Sequence, residues 1–328
     1  MPEATAAANS NVALVKYWGK RDEALNLPYT GSISITLDGL TTTATVATCR
    51  GSGRDRVVLN GRPAEGAVAG RIGSYLDLLR RTADRRSRLD VSVSTNFPVA
   101  AGLASSASTF AALAAAGSAA LGMETSPQQL SILARRGSGS AARSIFGGFV
   151  EWLAGELSDG SDSFAAPLAP PEHWDVGIAI AITDPGPKAV GSGAGMAHSV
   201  KHSPFFPAWL EFHDDDLAAI GRGILDRDLQ TVGTIMEHSC MKMHAVSLAA
   251  RPPLVYWKPA TLAVIQRVRA LRDEGIEAYF TIDAGPQVKV LSSLADRDAV
   301  AEALRRVAGV AEVLLSKPGG HTTVRCAT

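Results

Sequence analysis

Four short stretches hold residues whose types and spacing could do chemistry. The first is Asn96-Phe97-Pro98-Val99-Ala100-Ala101-Gly102-Leu103-Ala104-Ser105-Ser106, which follows a strand pattern and opens a helix pattern. Backbone N–H groups can converge along Ala101, Gly102, Leu103 and Ala104, and a helix N-terminus adds partial positive charge. That is how a phosphate is held without a lysine. Ser105 and Ser106 add hydroxyls for phosphate oxygens or a magnesium ion, Ser106 being the candidate metal contact. The competing reading is close helix packing in an alanine-rich core. No Gly-Lys-Ser/Thr follows, so this is not a Walker loop. The second stretch, Gly137-Ser138-Gly139-Ser140-Ala141-Ala142-Arg143, formally matches G-x-G-x-x-A. A helix pattern precedes it rather than a strand, so no dinucleotide fold is expected. What remains is a small-residue loop ending in Arg143, a side chain that can clamp phosphate or carboxylate through two donors or simply sit at the surface.

The third stretch, Val15-Lys16-Tyr17-Trp18-Gly19-Lys20, sets two lysines and a tyrosine beside a turn, as an anion-binding edge or as solvated charge. In the fourth, Asp283 ends a strand pattern just before Ala284-Gly285-Pro286, where an aspartate is either a catalyst or a turn capper. His198 and His202 lie four apart with no third ligand in view, so no metal pair is expected there.

The elements that must position these residues follow from periodicity. Alternation or β-branched runs predict strands over 11–18, 32–37, 41–48 and 57–59, the last meeting the hairpin turn Asn60-Gly61. Helical spacing predicts a helix over 71–82, then a strand over 89–94 and an alanine-rich helix to about residue 121. Ser126 as N-cap with Pro127 at the first helical position starts another helix, ending near Gly137. Strands are expected over 149–152 and 176–183. Asp184-Pro185-Gly186-Pro187 is a strong break and the candidate domain boundary. Beyond it come a glycine loop over 191–195, helices over 214–225, 229–244 and 259–274, and strands over 278–282 and 287–291. A helix over 299–307 and a strand over 311–315 close the pattern.

The chain has 328 residues, 46% hydrophobic and 20% charged, enough for a sizeable core. Lys plus Arg and Asp plus Glu are both 32, so net charge gives no support to a nucleic-acid or membrane-surface role, and any anion site must be built locally. No stretch approaches about 20 uninterrupted apolar residues, and the start lacks the pattern of a signal peptide. Cys49, Cys240 and Cys326 are few and far apart, suggesting neither a disulfide framework nor a zinc site. A reducing cytoplasm is the simplest expectation.

Five stretches, in order and suitably spaced, resemble the mevalonate diphosphate decarboxylase family of the GHMP kinase superfamily. They are Asn11-Val12-Ala13-Leu14-Val15-Lys16-Tyr17-Trp18-Gly19-Lys20, residues 98–107, residues 134–144, Gly147-Gly148-Phe149-Val150-Glu151-Trp152 and Asp283-Ala284-Gly285-Pro286. The resemblance spans nearly the whole chain. It implies an α+β GHMP-kinase fold. The ATP-binding half, expected over 1–184, would be like ribosomal protein S5 domain 2, and the half over 185–328 would be a ferredoxin-like α/β sandwich, with the site in the cleft between them.

The resemblance also implies ATP-dependent decarboxylation of (R)-5-diphosphomevalonate to isopentenyl diphosphate, with Mg²⁺ accompanying ATP, in a homodimer. Asp283 would orient the substrate's 3-hydroxyl and accept its proton, and Lys16 would supply positive charge. Tyr17, Trp18, Gly19 and Lys20 would hold the substrate together with Ser138, Gly139, Ser140, Ala141, Ala142 and Arg143. Ser192 and Met196, in Gly191-Ser192-Gly193-Ala194-Gly195-Met196, resemble the family's substrate loop, and Arg71 is a further carry-over. Residues 101–106 would bind ATP. The chain departs from its relatives at Thr30-Gly31-Ser32, Gly193 and Gln287. A phosphomevalonate decarboxylase, a mevalonate 3-kinase of the same superfamily and a non-catalytic nucleotide-binding protein therefore stay open.

Overall fold

The structure is a computed structural model describing residues 2–49, 54–97, 105–186 and 188–327. The chain runs through β1 (Glu3–Val15), the short pair β2 (Lys20–Asp22) and β3 (Leu27–Pro28), and β4 (Ser32–Cys49). Next come β5 (Arg56–Leu59), β6 (Arg62–Pro63), α1 (Gly66–Ala83), β7 (Arg88–Thr95), α2 (Ser105–Ala120) and α3 (Pro127–Gly137). A 3-10 turn, Gly139–Ile145, leads into β8 (Phe149–Trp152), β9 (Ala165–Ala169) and β10 (Val176–Ile182). Helices α4 (Ser192–His202), α5 (Phe206–Glu211), α6 (His213–Asp226), α7 (Leu229–Leu248) and α8 (Pro259–Asp273) follow. The last elements are β11 (Ala278–Ile282), β12 (Val288–Ser293), α9 (Arg297–Arg305), β13 (Glu312–Ser316) and β14 (Thr323–Cys326).

Two sheets carry the fold. In the larger, the order is β14-β1-β4-β7-β5-β6, with β8 and β9 joined through β4; the smaller is antiparallel, β11-β12-β10-β13. A shared core binds them: Val12, Leu14, Ile33 and Ile35 of the first sheet pack in one cluster with Ile178 and Ile180 of the second and with Ile220, Ile224 and Met236 of α6 and α7. Helix α2 packs on β1 and β4 and is buried on almost every side, as an all-apolar helix must be. Its alanines allow the close approach.

Several expectations change in register or extent. The strand expected over 11–18 is β1, which begins at Glu3 and ends at Val15. Its first half, Glu-Ala-Thr-Ala-Ala-Ala-Asn, carries almost no β-propensity signal; pairing with β4 and β14 makes it a strand. The two strands expected over 32–37 and 41–48 are the single β4, exposed at Asp38 and Gly39, where Gly39 has φ 78° and the register with β1 shifts between Asn9 and Asn11. A bulge bends a strand without ending it. The glycine loop expected over 191–195 is instead the start of α4, whose Met196 and Ser199 reach the interior and outweigh glycine's low propensity. The sheets do not divide at residue 184: β10 lies inside the second sheet, between β12 and β13, and β14 returns to the first. Asn60-Gly61 does form its hairpin turn, with φ of 47° and 78°, and Ser126 and Gln129 complete a reciprocal capping box on α3. Among the described residues no helix is long and apolar enough to cross a membrane.

Candidate active site

Strands β1 and β11 end near one another, and each delivers one charged residue past its last pairing. Lys16 follows β1 and Asp283 follows β11, and Lys16 Nζ donates to Asp283 Oδ1 at 2.6 Å. The ammonium also donates to the Ala13 carbonyl at 3.0 Å. Asp283 has a second cationic partner, since Lys289 Nζ of β12 lies 3.0 Å from Oδ2. The two lysine side chains are 1% and 4% exposed and the Asp283 side chain 26%, so the carboxylate is the part of the cluster that opens outward. Burial opposes ionisation of Asp283, but Lys16 and Lys289 outweigh it and hold its carboxyl well below the usual carboxylate range. Burial pulls Lys289 down despite the carboxylate beside it.

This cluster opens on a cleft of about 740 Å³. Among the described residues the lining carries Lys16, Lys20, Arg71, Arg81, Arg136, Arg143 and Lys188 against only Glu23 and Asp283. A chain of zero net charge thus concentrates positive charge in one place. Arg143 is 2% exposed, which removes the surface-arginine reading. Its Nη1 donates to Ser32 Oγ at 2.5 Å and its Nη2 to Asn11 Oδ1 at 3.1 Å, and its guanidinium lies 5.9 Å from the Trp152 ring. Asn11 is fixed in turn, its Nδ2 donating to Ser144 Oγ at 2.7 Å and to the Ser140 carbonyl at 3.1 Å. Burial lowers Arg143 to about 10, which still leaves it charged at neutral pH. Arg71 Nη2 donates to the Gly137 carbonyl at 2.8 Å, and its guanidinium stacks 4.6 Å from the Phe110 ring. At the start of α2, Ser106 Oγ is 3.3 Å from Ser138 Oγ, so the two glycine-serine stretches meet. The Tyr17 hydroxyl is buried without a partner among the described residues, and burial pushes it up, so it stays a neutral donor.

Lys16, Tyr17, Trp18, Lys20, Arg71, Ser105, Ser106, Ser138, Gly139, Ser140, Arg143, Ser192, Met196 and Asp283 all line the cleft. Three residues expected to touch substrate do not line it. Ala141 and Ala142, within the 3-10 turn, are fully buried in the core. Gly19 is a spacer: its φ is 106°, and a Cβ there would lie 2.7 Å from Phe206 Cζ. Gly139 is needed where it stands, because a Cβ would meet the Tyr17 hydroxyl at 2.8 Å. Ala101, Gly102, Leu103 and Ala104 lie outside the described residues.

Sequence reasoning missed Lys289, Lys188 and the pairing of Asn11 and Ser32 with Arg143. Lys188 Nζ donates to Ser192 Oγ at 2.8 Å and to the Ala284 carbonyl at 2.9 Å, bridging α4 to the turn after Asp283. Lys289 had a readable signal: a lone lysine inside the apolar run Val288-Lys289-Val290-Leu291 is rarely buried unless paired.

Comparison with known proteins agrees over the whole chain. Residues 8–165 match the diphosphomevalonate decarboxylase-like N-terminal domain, and residues 178–321 match the mevalonate 5-diphosphate decarboxylase C-terminal domain. The diphosphomevalonate decarboxylase of Ganoderma lucidum is 39% identical over 310 residues, 88% of this chain and 78% of that protein. That of Bos taurus is 38% identical over 312 residues, 88% of this chain and 76% of that protein. Among solved structures, mevalonate diphosphate decarboxylase from Staphylococcus aureus superposes with a TM-score of 0.93 at 36% identity, covering 100% of this chain and 98% of that one. A structure of MDDEF in complex with MVAPP, AMPPCP and magnesium gives 0.92 at 37%, covering 99% of each chain. The expected α+β GHMP fold is the observed one, and the chain belongs to the diphosphomevalonate decarboxylase family.

Proposed function

We infer that the chain converts ATP and (R)-5-diphosphomevalonate into isopentenyl diphosphate, ADP, phosphate and carbon dioxide. The observation that carries the reading is the buried Lys16–Asp283–Lys289 cluster at the head of a cationic cleft. The tertiary 3-hydroxyl of the substrate is a poor leaving group. Its oxygen takes the γ-phosphoryl group of ATP, the bond to the β-phosphate breaks, and ADP departs. Loss of the new phosphate leaves electron deficiency at C3. The C–C bond to the carboxylate then breaks, and its electron pair forms the alkene as carbon dioxide leaves.

Asp283 accepts a hydrogen bond from the 3-hydroxyl and aims its oxygen at the phosphoryl group. Held so strongly acidic by its lysines, Asp283 is a weak base. A loose phosphoryl-transfer transition state asks little of a base, since the hydroxyl proton becomes acidic only as the oxygen–phosphorus bond forms and then passes to water. Orientation is therefore the role assigned to Asp283, and Lys16 balances charge beside it. Arg143, Lys20, Tyr17 and the 138–140 loop hold the anionic groups and carbon skeleton of the substrate. Arg71 serves the substrate as well, and Ser105 and Ser106, which line the cleft, serve the ATP phosphates.

Among the described residues no group of three His, Cys, Asp or Glu could hold a metal by itself. Magnesium delivered on nucleotide phosphates needs only one or two protein oxygens, and the Ser106 hydroxyl in the cleft suits that. When bound, the ion neutralises charge on the phosphates. A homodimer in a reducing cytoplasm completes the reading.

The test is a side-by-side assay of carbon dioxide and ADP release with the 5-diphosphate and 5-monophosphate substrates. Equal amounts of both products, with kcat/KM highest for the diphosphate, are expected. Preference for the monophosphate would reassign the chain to the sister decarboxylase, and ADP release without carbon dioxide would make it a kinase.

A further inference from the structure

Lys16 and Asp283 arrive from different sheets, so something must set the distance between them. Helix α7 packs against β1, β11 and β12, and three of its side chains reach the backbone on both sides of the pair. Ser239 Oγ accepts the Lys16 backbone N–H at 3.0 Å. Cys240 Sγ accepts the Ile282 N–H at 3.1 Å, and its thiol lies 3.5 Å from the Ile282 carbonyl. His244, one turn further on, donates from Nε2 to the same carbonyl at 3.3 Å. Ile282 immediately precedes Asp283, and both its backbone N–H and its carbonyl are engaged by α7. All three side chains are buried, and the His244 ring is packed 4.8 Å from the Trp257 ring. Burial, reinforced by Lys16, lowers His244 to about 3, so it stands as a neutral donor at working pH.

We propose that Ser239, Cys240 and His244 form one positioning unit that fixes Lys16 and Asp283 relative to each other for phosphoryl transfer. The inference rests on the catalytic reading of that pair. The unit touches no substrate and acts through the backbone at residues 16 and 282. Freeing either strand end lets the carboxylate drift from the line between the 3-hydroxyl and ATP. Misplacement of about 1 Å costs on the order of 100-fold in rate. Binding depends on other residues, so the loss falls on kcat rather than KM.

The experiment measures kcat, both KM values and melting temperature for His244→Phe, His244→Gln, Ser239→Ala and the double variant His244→Phe with Ser239→Ala. His244→Phe keeps an aromatic ring and loses the donor; His244→Gln restores a donor at a similar reach. His244→Phe and Ser239→Ala are each expected to lower kcat by about 10- to 100-fold with KM within about twofold. His244→Gln should recover most of the loss, and the double variant should be no slower than the poorer single one, as residues acting as a unit are non-additive. A folded His244→Phe enzyme with near-normal kcat, a loss confined to KM, or multiplicative losses in the double variant would overturn the unit. Should His244→Phe not fold, Ser239→Ala alone decides by the same criterion, because it removes only one oxygen. Asp283→Asn runs alongside: full activity there sinks the reading beneath the inference, whereas its loss with an unaffected His244→Phe sinks the inference alone.

Discussion

At the residue scale, Asp283 is both a strand-end aspartate and the only carboxylate between two buried lysines in the described structure. A turn capper would tolerate Asp283→Asn with little change in melting temperature, and the sequence alone gives no reason to expect otherwise. The lysines change that expectation. Removing the carboxylate's charge takes the Asp283 anion away from Lys16 and Lys289, and breaking a buried pair in this way costs about 3–5 kcal/mol. Turnover should fall by at least about 100-fold, the scale on which a misplaced reacting group slows chemistry. The stability gap has a defined pH dependence. The folded pKa of Asp283 is depressed, so its contribution is complete above the unfolded value of about 3.9 and is lost as pH falls through the folded value. Melts of wild type and Asp283→Asn should therefore differ by a constant amount above about pH 5 and converge only in stronger acid. A gap that closes near neutrality would remove the two-lysine account.

Arg143 yields to the same kind of argument. It bridges Asn11 and Ser32 while facing the cleft, so Arg143→Ala should weaken substrate binding by on the order of 2–4 kcal/mol, seen as a raised KM for the phosphorylated substrate. Unchanged KM and kcat would reduce it to a structural strut. Its chemistry was legible from the Gly-Ser-Gly-Ser loop, but its fixed partners lie 132 and 111 positions away in sequence and had no local signal.

At the scale of elements, legibility tracked local physics. Helix α3 was readable to its first residue because Ser126, Pro127 and Gln129 encode the start without tertiary help. Ser126→Ala should cost about 1 kcal/mol in stability and leave kcat/KM unchanged, since the cap lies at the far end of α3 from the Gly137-Ser138 turn that lines the cleft. A fall in activity at constant folded fraction would show that α3 is not the rigid support it is taken to be. The elements that escaped were those made by partners: the weak half of β1, the bent continuation of β4, and β14, whose four exposed residues, Thr323 to Cys326, are too short a pattern to read and become a strand beside β1. The placement of β10 escaped for the same reason. The break after it was plain in Asp184-Pro185-Gly186, but its neighbours β12 and β13 come more than 100 residues later.

At the scale of the whole molecule, the relevant quantity is where charge sits. The sequence shows balanced charge and excludes a broadly basic surface. It cannot show that seven cations from 16–20, 71–81, 136–143 and 188 converge on one cleft with two acids, because that grouping is made by the shared core of the two sheets. A cleft of one sign focuses its field outward and draws in a multiply charged anion. The attraction reaches across about 30 Å at ~0.01 M salt but only about 8 Å at ~0.15 M. Raising a non-binding salt over that range should therefore raise KM for the phosphorylated substrate several-fold, while kcat changes little, because the Lys16–Asp283–Lys289 contacts are buried and too short for salt to screen. Neutralising Arg81 should flatten this salt dependence: its side chain makes no ion pair or hydrogen bond among the described residues, so its removal subtracts field without disturbing a fixed contact. The measurement is KM and kcat against ionic strength for wild type and Arg81→Gln. A kcat that falls with salt in step with kcat/KM would mean the buried cluster is itself solvent-screened, and a salt-independent KM would mean that short-range contacts alone, not the collected field of the cleft, bring the substrate in.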